Sequence, residues 1–252
     1  ALGLQTVPFY SPLRVGSVLC RCARGGGRLI CGGGTLLQNA TSGRSLAFYC
    51  LILSLAERMG LRVQLWDCGI GPLRGRSARR RVGARMAGAE SITLRDAESA
   101  AVLKHLGVPA ERVRVTEDAV LRLPPPDPLW TRYVFRRESL LCPDSPQVSP
   151  YFAFAVRPWR EAPADYGAML ARVASKFAKC SGLTPVILPM QSEVDGDFCR
   201  SVAASCGGRF LDGLSPDETD GVLSRMRFVV GGRLHALVLA VRMGIPVIGL
   251  SY

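Results

Sequence analysis

A chain of 252 residues, 48% apolar and 21% charged, has the composition of a globular protein with room for two α/β domains, and excludes a disordered or fibrous one. Its net charge of +12 would ordinarily point to nucleic acid or an anionic surface, but 29 of its 32 basic residues are arginine, a skew that GC-rich codon usage explains more simply than selection for phosphate backbones. Nine scattered cysteines, with no C-x-x-C pair and no zinc spacing, argue for reduced thiols in the cytoplasm and against a metal site, and no run of about 18 apolar residues is present to span a membrane.

Residues 1–27 are ambiguous, with SVLCRCARGGG reading as a short helix or strand before a glycine break. Arg28 to Cys31 is predicted as a strand running into Gly32-Gly33-Gly34. Such a triple glycine resembles a phosphate-cradling loop, because backbone N–H groups come close to an oxyanion where side chains are absent. It lacks the spacing of a dinucleotide or Walker loop, and a bare turn explains it as well. Ser45 is placed as the cap of a long apolar helix closed by Gly60. Strand Arg62 to Asp67 follows, then the turn Cys68-Gly69-Ile70-Gly71-Pro72 and a basic helix from about Ser77 to Ala87. The run Arg79-Arg80-Arg81 reads as a solvated helix face rather than a nucleic-acid groove, since no aromatic platform is interleaved with it. Contact with acidic lipids at the inner membrane surface stays open. Strand Ser91 to Leu94, a helix capped by Asp96 and strand Val113 to Thr116 complete a first domain, 1–122, of alternating α/β elements, the pattern of a doubly wound sheet. His105, inside that last helix, reads as structural.

Leu123 to Pro150 breaks the alternation. Pro124-Pro125-Pro126-Asp127-Pro128 fits neither helix interior nor central strand, so 123–150 is read as a proline-rich linker. A second domain, 151–252, opens with strand Tyr151 to Val156 and Arg157-Pro158-Trp159. It continues through helix Ala164 to Cys180, strand Pro185 to Leu188, helix Glu193 to Cys206, a short strand at Arg209 to Leu211 and a helix from Ser215 to Met226. The last stretch, RFVVGGRLHALVLAVRMGIPVIGLSY, reads as strand, turn, helix and strand. Neither strand alternates polar with apolar, so both are expected to be buried on both faces of a parallel sheet. Arg233 and His235 fall where this crossover helix begins. An arginine fork beside a helix N-terminus suits a phosphate or carboxylate, and an imidazole two residues on can move a proton on the same ligand. The plainer reading has Arg233 capping a neighbouring helix and His235 filling a polar gap.

In order, GGGTLLQNATSGRSL, DCGIGP, TLRDAESAAVL-HLGV, VRPW, LPMQ and GGRLHALVLAVRMGIPVIGLSY resemble the polysaccharide pyruvyltransferase family, in its bacterial cell-wall branch, from about Cys31 to Tyr252. The resemblance implies two Rossmann-like domains in a GT-B-like arrangement, with parallel sheets flanked by helices and ligands in the cleft between them. It implies transfer of the pyruvyl group of phosphoenolpyruvate to two hydroxyls of one sugar, giving a cyclic ketal. Phosphoenolpyruvate would be a co-substrate, no cofactor or metal would be needed, and the partner would be a glycan or lipid-linked glycan rather than nucleic acid. The family pattern puts enolpyruvate-binding arginines at Arg95 and Arg233, with Leu234 beside the latter and His235 as acid or base; Arg157 joins them from its place at the end of a strand. The acceptor is expected on the first domain, at Gly33, Gly34, Gln38 and Arg44, with Gln191 as a further polar contact. Where the family has Asp-Pro this chain has Thr116-Glu117-Asp118-Ala119, so Asp118 is assigned no role. A first glycine-rich strand and an Asp-Pro-Lys after Ser251-Tyr252 are also missing, so the resemblance implies a chain cut at both ends. Two other readings share these features. One is a GT-B glycosyltransferase using a nucleotide sugar, which would place a carboxylate late in the second domain, where Arg225 to Tyr252 holds no Asp or Glu. The other is a non-catalytic basic module binding anions or nucleic acid through Arg79 to Arg85.

Overall fold

The computed structural model describes residues 6–8, 11–40, 42–159 and 161–251, and the chain divides into two compact units, Ala1–Arg122 and Leu123–Tyr252. The first described element of unit 1 is helix α1 (Pro12–Arg24), which makes the ambiguous stretch SVLCRCAR helical, and after it come β1 (Arg28–Gly32), α2 (Gly43–Arg58), β2 (Arg62–Cys68), α3 (Arg76–Ala87), β3 (Ser91–Leu94), α4 (Ala97–His105) and β4 (Val113–Val115). Its four strands are parallel and lie in sequence order. Right-handed crossovers between strands in that order set successive helices on one face. Leu46 and Leu53 of α2, Val82 and Met86 of α3 and Leu103 of α4 are accordingly buried with Val63, Leu65, Ile92 and Leu94 in one core. On the other face Ile30 and Trp66 are exposed. Unit 1 is therefore singly wound where a doubly wound sheet was expected. The cap of α2 is also corrected: Ser42, not Ser45, is the N-cap, and its hydroxyl accepts from the Ser45 N–H. Asp96 caps α4 as expected, by accepting from the Ser99 N–H.

Unit 2 is doubly wound. It contains α5 (Pro128–Arg137), β5 (Tyr151–Ala155), α6 (Tyr166–Ser181), β6 (Thr184–Ile187), α7 (Ser192–Cys206), β7 (Arg209–Phe210), α8 (Pro216–Leu223), β8 (Val229–Gly231), α9 (Leu234–Arg242) and β9 (Val247–Gly249). The strand order is β7-β6-β5-β8-β9, all parallel. Successive residues of β5 point to opposite faces: Tyr151, Ala153 and Ala155 enter a core shared with α5, α8 and α9, while Phe152 and Phe154 enter a second core under α6 and α7. This explains the unbroken apolar run of β5, in which every residue is buried.

Two expectations fail here. The stretch read as a linker, 123–150, holds α5, capped by Asp127, and buries Val134 and Phe135 in a core of unit 2. Prolines at 124–126 and 128 stop a helix from starting earlier, but Pro128 at the first helical position is well placed, since its missing N–H has no partner to lose there. The second strand of the C-terminal crossover, β9, is an edge strand and not a doubly buried one: Ile248 is 42% exposed. Its apolar composition matched a central strand, and strand order is not written in composition.

Candidate anion-binding site

The strand order of unit 2 reverses at β5, with β6 on one side and β8 on the other. The connections from β5 to α6 and from β8 to α9 leave for opposite faces, and the crevice between them is where open α/β sheets take ligands. Arg157 stands two residues beyond Ala155, and Arg233 two residues beyond Gly231. Ala155 and Gly231 are register partners, so the two arginines leave adjacent strands at the same level. Gly231 allows the helix its close seat: a Cβ there would lie 3.1 Å from Leu237 Cδ2 and 3.5 Å from the Ala155 carbonyl oxygen.

The N-cap residue of α9, Arg233, makes no side-chain cap bond, and the first turn of the helix carries no acid of its own, a helix start that suits an anion. Leu234 and His235 are exposed in that turn, while Ala236 and Ala240 hold the helix to the core. The Arg233 guanidinium is held from behind. Asp195, in the first turn of α7 and 0% exposed, accepts from Nε at 2.9 Å and from Nη2 at 2.5 Å. Gln191, the exposed N-cap residue of α7, stands beyond β6. The carboxyl ends of β6, β5 and β8 thus carry Gln191, Arg157, Arg233, Leu234 and His235. Cys199, one turn after Asp195, packs its Sγ 3.2 Å from the Val156 carbonyl. Burial, then the nearby Asp195 charge, push its thiol up to about 12, so it stays protonated near neutral pH and acts as packing rather than as a nucleophile.

The remaining candidates belong to unit 1. Arg95, expected beside Arg157 and Arg233 on one ligand, follows β3 there. Its Nη1 donates to Asp118 Oδ2 at 2.9 Å and its Nη2 to Thr35 Oγ1 at 3.0 Å. Gly69 makes room for this arrangement, since a Cβ on it would fall 2.5 Å from Thr35 Oγ1. Asp118, given no role from the sequence, is therefore the counterion of Arg95. Gly33 and Gly34 take left-handed φ values of 75° and 65°, which favour glycine. Gln38 accepts from the Ala40 N–H and so orders its own loop, and Arg44 is exposed in the first turn of α2. Nearby, Asp67 is buried with φ of 49°, an uncommon value for a side chain other than glycine. Burial would raise its carboxyl, but hydrogen bonds from Thr116 and Thr93 and the Arg122 guanidinium outweigh it and hold the group below its usual range.

Asp195, Asp118 and Thr35 were missed because each acts through a residue far from it in sequence. Asp195 sits in E-V-D-G-D, which reads as the solvated start of a helix, and only the packing of α7 turns it inward.

A family model described as polysaccharide pyruvyl transferase matches residues 27–252. No curated protein matches the chain by sequence. Among solved structures, the chain resembles MnaA of S. aureus with UDP, at TM-score 0.64 and 13% identity, covering 98% of this chain and 65% of that one. It also resembles the UDP-GlcNAc 2-epimerase of Neisseria meningitidis bound to UDP-GlcNAc, at TM-score 0.64 and 12% identity, covering 99% and 67%. Anabaena HepE in complex with UDP-glucose follows, at TM-score 0.52 and 12% identity, covering 97% and 65%. At such identities the likeness is one of fold, parallel α/β sheets of the GT-B-like kind. The chain spans 59% to 68% of the length of solved proteins of this sort.

Proposed function

The chain belongs to the polysaccharide pyruvyl transferase family, and on that premise we propose that it moves the enolpyruvyl group of phosphoenolpyruvate onto two hydroxyls of a cell-wall or exopolysaccharide sugar. The observation that carries this reading is the pair of arginines at adjacent strand ends of unit 2, set at a topological switch point beside a helix whose first turn carries no acid. Phosphoenolpyruvate offers a phosphate and a carboxylate a short fixed distance apart, and arginines that follow two adjacent strand ends suit two anionic groups of one small ligand.

In this mechanism His235, as imidazolium, protonates the methylene carbon, and C2 becomes electrophilic. One sugar hydroxyl adds to C2 and gives its proton to a base. The C2–O bond to phosphate breaks, phosphate leaving with the electron pair, and the second hydroxyl closes the ketal with loss of its own proton. An imidazole serves both directions of proton transfer near neutral pH. Arg157 and Arg233 hold the carboxylate and stabilise the departing phosphate. The acceptor, a glycan or lipid-linked glycan, is assigned to Gly33, Gly34, Gln38 and Arg44 of unit 1, and Gln191 of unit 2 keeps its assignment as a polar contact. Arg95 keeps its assignment to the enolpyruvyl group from the family pattern, and its present partners are Asp118 and Thr35.

The test incubates the protein with phosphoenolpyruvate and lipid-linked glycan precursors, following phosphate release and the acceptor's gain in mass. Phosphate release matched one to one by a mass gain is expected. The likeness to solved proteins holding UDP and UDP-sugars favours a second reading, a nucleotide-sugar enzyme. Consumption of UDP-glucose with no phosphate released from phosphoenolpyruvate would replace the first reading by the second.

A further inference from the structure

Arg233 is not simply an arginine at a strand end. Its guanidinium has two edges able to grip an anion with paired N–H bonds. Asp195 takes the one formed by Nε and Nη2, and the edge formed by Nη1 and Nη2 makes no bond to any described residue. The carboxylate that does this is fully buried and the arginine only partly so, so the pair is gripped from the protein side and open on the other. It also links elements. Asp195 rides on α7, which follows β6, and Arg233 precedes α9, which follows β8; the bond between them spans the end of β5, where Arg157 emerges. Cys199 fastens the same helix to that strand end through the Val156 carbonyl. A charge taken fully out of water is poor value for stability alone, because a well-packed apolar contact commonly does as well. Its use here is to set direction.

We infer that Asp195 is the positioning residue of the anion site, fixing the plane of the Arg233 guanidinium so that its Nη1/Nη2 edge faces the phosphate or carboxylate of the ligand. This inference rests on the pyruvyl transfer reading for the name of the ligand, and on the bidentate pair for everything else. The geometry makes the arginine a fixed fork instead of a mobile tether, so little conformational freedom is lost when the anion binds.

Asp195→Asn is the informative change. It keeps the shape, removes the charge, and turns an NH2 group toward one of the two guanidinium donors, so that only one bond survives and the plane is free to swing. The KM for phosphoenolpyruvate should rise at least tenfold, kcat should fall by less than KM rises, and the KM for the glycan should stay within twofold. In an Arg233→Lys background, which has no planar fork to orient, the same change should add less than twofold. A residue with only a structural role would lower the melting temperature and leave both KM values alone, and that result would overturn the inference, as would additive effects in the double variant. If the unaltered protein releases no phosphate from phosphoenolpyruvate, the pyruvyl reading fails, and positioning is then judged by binding. Protection of the unaltered protein against heat by inorganic phosphate, lost in a folded Asp195→Asn variant, would uphold it. Equal protection of both proteins, or of neither, would reject it.

Discussion

His235 and Arg233 ask for different experiments although they are two residues apart. His235 is exposed in the first turn of α9, so His235→Ala should leave the melting temperature nearly unchanged. Phosphate release should fall by about 10²- to 10⁴-fold, the usual worth of a general acid–base group. Turnover surviving this change would remove the histidine from the mechanism. Arg233→Ala is less clean. It strands the fully buried carboxylate of Asp195, and breaking a buried pair from one side typically costs about 3–5 kcal/mol. Reduced stability measured by denaturant is therefore expected together with lost turnover. Adding Asp195→Asn to Arg233→Ala should recover most of the stability and none of the activity. At this scale the sequence made Arg233, His235 and Arg157 legible as residues at the ends of apolar strands. It left Asp195 and Asp118 hidden, because a carboxylate's partner 38 or 23 positions away is a fact of packing.

Elements α5 and α8 show the same division. The start of α8 was readable: Ser215 and Glu218 form a capping box, each satisfying the other's backbone N–H. Ser215→Ala should cost about 1 kcal/mol and lower the melting temperature without touching kinetics. The helix it meets was not readable, since prolines masked α5 as linker. The two pack closely because Gly221 has no side chain; a Cβ there would lie 2.8 Å from Thr131 Oγ1 and 3.5 Å from Thr131 Cα. Gly221→Ala is expected to destabilise by about 1–3 kcal/mol, the range for overpacking a close contact. Equal stability of Gly221→Ala and the unaltered protein in urea would show that α5 is not held against α8 in solution.

For the molecule as a whole, acid should be the weak side. Asp67 in unit 1 and Glu218 in unit 2 both lie below their usual range. For Asp67 burial opposes the shift and Thr116, Thr93 and Arg122 outweigh it; for Glu218 the Ser215 backbone N–H comes first, opposed by burial and aided by Arg137. A carboxyl with a depressed folded-state pKa contributes stability that is complete above its unfolded value, about 4, and is lost as pH falls through the folded value. Melting temperature should therefore hold above about pH 5 and decline below about pH 4. Asp67→Asn should flatten that decline for unit 1. An unchanged acid limb in that variant would mean that other groups set it.

The sequence by itself determined that this is an α/β protein with parallel strands, where most of its elements begin and end, and which arginines and histidine stand at strand ends. It could do so because apolar periodicity, caps and glycine stops are local properties, written within a few residues of where they act. Tertiary structure alone decided that unit 1 winds in one direction while unit 2 reverses at β5, that β9 is an edge, and that two buried or half-buried carboxylates sit behind the arginines. Strand order and ion pairing depend on which surfaces find one another after the elements have formed, and no stretch of sequence carries that information alone.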